Sequence, residues 1–350
     1  MTKKSKLPKL PVRRKKMSRE DLPIPRITNE SVAEHREEVL GKARKHVRGR
    51  RRSRRSIVKI SISIAVGSLV VFLLYCILAL YRFQSTSSFI YGVTRVIPFP
   101  VAYADGRFVS YESYLFELRH FMYYYQNQQN VNFKTQSGMR QLDDLKQRSL
   151  DQAVNRAYVA KLANQHDIQV LPSELNRQIE IARNQSRLGA SDAVFQSVLK
   201  DFWGWSVADF RRELRLELLD QKVAATLDTK TTKRAKQVHL QLEQGGDFAK
   251  LATQYSDDIQ TKDKGGKYSF AVNRANRDIS PLLIEAIYKL PVGKFSEVID
   301  TGYKLEIVKV LKIDGDKRQV AHIAFSYKDI NDFVRPERKA HKPTLYINVK

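Results

Sequence analysis

One stretch limits every reading of this chain. Ile57 to Tyr81 reads IVKISISIAVGSLVVFLLYCILALY, and Lys59 is its only charge. At about 1.5 Å per residue, a helix of this length reaches across a hydrocarbon layer about 30 Å thick. It is apolar all round, whereas a helix on the surface of a soluble domain keeps a polar face. The block Arg50-Arg51-Arg52-Ser53-Arg54-Arg55 abuts its start, and Arg82 is the only base close to its end. The positive-inside rule therefore predicts a single span with the N-terminus in the cytoplasm and the C-terminus outside.

The charge distribution follows the same division. The chain has 350 residues and a formal net charge of +25. Residues 1–55 hold 20 Lys and Arg against 6 acids, with four prolines and almost no aromatic residue. So polar a segment has little to bury, and it is expected to be a disordered basic tail. A cleaved secretory signal would have a shorter apolar run with small residues close behind it. Ala102-Tyr103-Ala104 has that look but lies some twenty residues too far on. Cys76 is the only cysteine, and Leu73-Leu74-Tyr75 before it is too bulky for a lipoprotein site. The part beyond the span thus has neither disulfides nor thiol chemistry.

Beyond the span, Phe89 to Tyr103 is β-branched and aromatic, and Asp105-Gly106 marks a turn, so an extended segment or hairpin is expected there. Ser110 is placed to cap a helix carrying Tyr114, Leu115, Leu118, Phe121, Met122 and Tyr125. Residues 126–137 read as a loop. Helical spacing then dominates, through Leu142 to Leu162, from Leu171-Pro172-Ser173-Glu174 onward, through Ala193 to Phe202, and after Ser206.

At this point a resemblance becomes visible. Leu150-Asp151-Gln152-Ala153-Val154-Asn155, His166 through Leu175, and Ser206-Val207-Ala208-Asp209-Phe210-Arg211 resemble the helical chaperone module of SurA-type and PrsA-type foldases. Gly246 through Asp258 with Gly265-Gly266 is similar to the first helix and loop of parvulin-type prolyl isomerases. So are Pro281 through Ala286, Leu290 through Glu297, and Gly302-Tyr303 followed by Ile307-Val308-Lys309-Val310. The implied fold class is α+β: one N-terminal transmembrane helix, a helical SurA-like module, and a parvulin-like antiparallel sheet with surrounding helices. The expected boundaries are tail 1–55, span 56–82, helical module 83–230, parvulin-like domain 231–328 and basic C-terminal tail 329–350.

The chain departs from the family pattern in two places. A parvulin opens with a histidine-bearing strand, and none precedes the helix at Thr231-Thr232. Arg318 through Phe325, with His322, looks like that strand arriving last, after a hairpin turn at Asp314-Gly315. A circularly permuted domain is the expectation; a degenerate domain with an unrelated last strand is the alternative. The second active-site histidine is also missing, its place falling to Lys304 or Glu306.

By resemblance, His322 and Asp258 form the polar core, and Tyr268, Phe270, Ile279 and Leu283 build the proline pocket. Taken alone, His322 also reads as an ordinary strand histidine, Asp258 as a turn residue, and Ile279 with Leu283 as an i,i+4 core pair. Rotation about an Xaa–Pro bond faces a barrier of about 20 kcal/mol because the amide loses resonance. Lowering it needs an apolar pocket and a surround that favours the twisted amide, so no cofactor or metal is called for. The seven histidines lack metal-ligand spacing.

The expected function is a membrane-anchored extracytoplasmic foldase or chaperone with weak isomerase activity, acting on unfolded or proline-containing polypeptides. The alternative is a parvulin-fold scaffold that has lost catalysis. The aromatic stretch Phe116, Phe121, Met122, Tyr123, Tyr124 and Tyr125 offers a client surface or, equally, core packing. The basic tail is expected to meet anionic lipid headgroups rather than nucleic acid, since it lacks the interleaved aromatic residues of single-strand binders.

Overall fold

The computed structural model describes residues 28–185 and 191–349. The chain divides into two compact units between Cys76 and Ile77. The first is a single helix, α1 (Asn29–Ile77). Residues 29–55, expected to be disordered, are helical, and residues 1–27 lie outside the described residues. The local sequence explains this. Thr28 and Ser31 exchange backbone-to-hydroxyl bonds at the helix start, and Glu38 pairs with Lys42 one turn on at 2.6 Å. Helix extension is also cheap once the apolar run has nucleated it. The span Ser56–Arg82 has 27 residues and a mean hydropathy of 2.6.

In the second unit, the segment expected to be extended begins instead with a short helix, α2 (Ser88–Thr94), capped by the Ser87 hydroxyl. Strands β1 (Pro100–Ala104) and β2 (Arg107–Ser110) then form a hairpin about Asp105-Gly106. The Ser110 hydroxyl caps α3 (Tyr111–Asn127), as anticipated. Helices α4 (Gln136–Gln165), α5 (Pro172–Gln185), α6 (Asp192–Val198) and α7 (Val207–Leu227) complete a helical module. Its core holds Tyr111, Tyr114, Leu115, Leu118, Leu145, Leu150, Val154 and Tyr158. Phe116 is buried in that core, so it is no part of an exposed aromatic surface; Phe121 through Tyr125 are half-buried.

After α7 the chain enters a second lobe through α8 (Thr229–Glu243), α9 (Phe248–Tyr255) and α10 (Pro281–Lys289). Its sheet has the order β3 (Ile299–Asp300), β4 (Lys304–Asp314), β5 (Lys317–Ser326), antiparallel throughout. Side chains alternate across the long β4–β5 hairpin. Leu305, Ile307, Ala321, Ile323 and Phe325 face Ala235, Val238, Phe248 and Leu251 of α8 and α9. Val308, Val310 and Val320 face Val272, Leu283 and Ile287 on the other side. Both faces of the hairpin are therefore covered.

Lobe entry and exit lie side by side. Asp228 accepts from the Thr231 amide at the start of α8 and from the Lys328 amide just beyond β5, at 3.2 and 2.9 Å. The C-terminal segment, expected to be a basic tail, instead returns to the helical module. It forms α11 (Ile330–Ala340), packed on α4 and α7, and β6 (Thr344–Leu345), paired with β1. Arg338 pairs with Asp151 at 2.6 Å, and Glu337 with Lys161 at 3.1 Å. The helix has buried Val334 and an otherwise charged surface, and composition alone hides so narrow an apolar contact.

Beneath α11, the helical module contains an acid out of its usual range. Burial, reinforced by Glu213, Glu217 and Asp329 and opposed by Arg156, pushes the Asp220 carboxyl up to about 7. The native state thus keeps a proton that the unfolded chain releases near 3.8, and stability falls as pH rises between these values. Asp220→Asn should unfold at higher denaturant than the parent near pH 8 and match it near pH 4, in urea titrations at both pH values.

Candidate active site

At one end of the β4–β5 hairpin the apolar face turns polar. Glu306 on β4 lies opposite Ala324, and His322 on β5 lies opposite Val308, so both project to the same side as the valine cluster. Each is 1% exposed. Two such groups cannot be left bare in the protein interior without a large desolvation cost. They satisfy one another: His322 Nδ1 is 2.7 Å from Glu306 Oε2. On the opposite edge of the ring, Nε2 is 2.7 Å from Asp258 Oδ2. Both are hydrogen bonds between an imidazole nitrogen and a carboxylate oxygen, so the three groups share at least two protons.

Asp258 reaches the ring from a turn that its own side chain builds. Its Oδ1 accepts from the Gln260 amide at 3.0 Å, and its Oδ2 accepts from the Thr261 hydroxyl at 2.8 Å. Burial opposes its ionisation, but these bonds and His322 outweigh it and hold the carboxyl below its ordinary range. The same turn continues into Gly265 and Gly266, with φ of 64° and 78°. A Cβ on Gly266 would stand 2.2 Å from the His322 carbonyl oxygen, so only glycine lets this loop seal the outer edge of β5. The Gly266 carbonyl accepts from the His322 amide there at 2.8 Å.

Tyr268 completes the shell. Its hydroxyl is 3.1 Å from His322 Nδ1, and its ring tilts over the imidazole with centroids 4.5 Å apart. Burial, then Glu306 and Asp258, push its phenol far up, so it stays neutral. Phe270 stacks on Tyr268 at 5.3 Å.

All six residues singled out from the sequence line one cleft of about 590 Å3: His322, Asp258, Tyr268, Phe270, Ile279 and Leu283. Ile279 and Leu283 are at the same time core residues, 5% and 2% exposed, and form the floor. Phe270, 42% exposed, forms a wall. Three lining residues were not assigned to the site from sequence. Glu306 was noted only as a place where a histidine is missing; an acid inside Leu305-Glu306-Ile307-Val308 is the signal of a buried partner. Thr261 gave no signal, and Lys304 is the outer partner of Glu306, its Nζ 3.1 Å from Oε1.

A hairpin with helices on both faces, a buried imidazole and an open apolar cleft beside it define a parvulin-like isomerase lobe set into a helical module. The comparisons agree with both parts. The PPIC-type PPIase domain matches residues 218–312, and the SurA-like N-terminal domain matches residues 48–224, just over half the chain. The chain belongs to the SurA-like N-terminal domain family, and it carries a PPIC-type isomerase domain. The isomerase match ends ten residues before His322.

Among curated proteins, the chain is 34% identical over 119 residues to foldase protein PrsA 3 of Bacillus anthracis, a match covering 34% of this chain and 38% of that one. It is 35% identical over 107 residues to foldase protein PrsA of Pediococcus pentosaceus, covering 30% and 36%. The matched region thus spans little more than a third of these relatives. A crystal structure of foldase protein PrsA from Streptococcus pneumoniae aligns at 18% identity and a TM-score of 0.18, over 59% of this chain and 81% of that one.

Glu306 and Asp258 hold the same ring from sites of different burial, with side-chain exposures of 1% and 25%. Removing the buried partner leaves an uncompensated polar group, at a cost of about 3–5 kcal/mol, whereas water can replace the exposed one for about 1–2 kcal/mol. Glu306→Ala should therefore destabilise the chain more than Asp258→Ala in urea denaturation at neutral pH. Because its native pKa is depressed, Asp258 stabilises above the ordinary carboxylate value and loses that contribution as pH falls through the native one. Asp258→Asn should accordingly flatten the acid limb of the stability curve.

Proposed function

We propose that this chain is a membrane-anchored, extracytoplasmic foldase of the parvulin type, whose isomerase lobe is circularly permuted so that its histidine strand comes last. The observation that carries this reading is the position of His322: a strand beyond the matched isomerase region brings an imidazole to 2.7 Å from Asp258, over an apolar floor. The proline ring of a client rests on Ile279, Leu283 and Phe270. The polar groups at the rim, Asp258 with Thr261 and the Tyr268 phenol, supply a fixed dipolar surround for the twisted amide. No covalent step is required.

A second reading has its own support. Both imidazole nitrogens are engaged by protein carboxylates, and Glu306 stands where a second histidine would sit. A ring so tied has no nitrogen left for a substrate, which favours weak turnover or a client-binding lobe without catalysis. A proline-peptide isomerisation assay on the full chain in detergent micelles separates the two. The foldase reading expects a rate above buffer that falls at least tenfold in Phe270→Ala and Asp258→Ala; a rate equal to buffer leaves the binding reading.

The membrane anchor rests on Ser56–Arg82, long enough to span with some tilt, and on the arginine block before it. Protease added outside intact cells should digest the region beyond Arg82 while an epitope at the N-terminus stays protected. Protection of both ends would place the lobes in the cytoplasm.

A further inference from the structure

A second cleft, of about 500 Å3, opens where the two lobes meet. Ile181 of α5, Leu218 and Ala225 of α7, and Pro281 and Leu282 at the start of α10 line it. Ser280 and Thr301 line this cleft and the isomerase cleft alike, so the two are neighbouring sections of one groove.

The junction is built to hold its shape. The Tyr303 hydroxyl, on the isomerase cleft, donates to Glu217 of α7. Gly302, at φ 96°, lies against Gln221, whose Oε1 would be 2.5 Å from a Cβ there. Lys222 of α7 spans to Glu174 of α5 with two contacts of 2.8 Å. Helix α7 is thereby fixed beside the isomerase cleft.

We infer that this second cleft is the extended-chain subsite of the foldase, and that it takes the client residues flanking the proline: an extended segment with apolar side chains and an acidic residue. This rests on the foldase reading above. Three observations choose the occupant. The groove is continuous with the cleft that receives the proline, so the same chain passes through both. A strand advances about 3.3 Å per residue, so only a few flanking residues are needed to cross from one section to the next. The lining is apolar at its base, and Arg177 at its rim has no ion-pair partner among the described residues, which suits a client carboxylate. Lys222 and Glu174, by contrast, neutralise each other. The subsite gives the helical module a part in selecting clients, with α5 and α7 reading the residues beside the proline.

The experiment uses the full chain in detergent micelles and two fluorescein-labelled peptides. One is a tetrapeptide with a central proline; the other extends it to twelve residues with leucines and one glutamate. Fluorescence anisotropy reports binding whether or not the bond is turned over, so an inactive isomerase leaves the measurement intact. The long peptide is expected to bind at least tenfold more tightly than the short one. Ala225→Trp, which fills the groove, should remove that advantage and leave the short peptide unchanged. Arg177→Glu, at an exposed position, should weaken the long peptide several-fold and do so less at high salt. Equal binding of the two peptides by the parent chain, or an advantage that survives both substitutions, overturns the proposal. So does a concentration-dependent dimer, seen by sedimentation and lost in Ala225→Trp, which would assign the groove to a second copy of the chain.

Discussion

An ionisable ring buried within a sheet demands a hydrogen-bond partner for each nitrogen, and the isomerase lobe is arranged around meeting that demand. His322 is 1% exposed, and its two partners come from separate parts of the chain, Glu306 one strand away and Asp258 in the turn after α9. Either partner missing would leave a polar atom stranded at a cost of about 1–3 kcal/mol. The ring thus ties the β4–β5 hairpin to the loop that walls the cleft. The loop in turn needs Gly266, because only a residue without a Cβ can lie against the strand that carries the ring. Site and fold share the same few atoms.

The arrangement of the lobes follows a related economy of connections. Asp228 binds the amides at both crossings between lobes, so the isomerase lobe enters and leaves at one place. A lobe with adjacent ends can be inserted into another without disturbing it. The helical module is accordingly completed only after the insertion, when α11 packs on α4 and α7 and β6 joins β1. The SurA-like match ends at residue 224, so these closing elements lie beyond it.

Much of this was legible in the residues. Ser110 and Ser206 announced their helices because a hydroxyl cap is a local interaction between neighbours three apart. Asp314-Gly315 announced the hairpin for the same reason, and an alternating apolar pattern marked β4. The errors share one cause. The helix at Ser88–Thr94 forms in a segment rich in strand-favouring residues, where a single cap at Ser87 prevails over propensity. Residues 29–55 are helical although composition argued for disorder, since extension from an apolar helix requires no new nucleus. The C-terminal segment earned its structure from contacts with residues some 180 to 240 positions earlier, among them Asp151 with Arg338 and Tyr103 with Thr344.

The amino-acid order alone determined the apolar span and its charged flank, the helix caps, the turn glycines and the presence of His322 on a strand, because each depends on residues within a turn or a strand of one another. Only the tertiary structure decided that Glu306, rather than an imidazole, holds the far side of that histidine, and that the two lobes meet along one groove. Those outcomes depend on strand register and on how α7 lies against Gly302. Both are fixed by packing between segments far apart in the chain, which local pattern cannot specify.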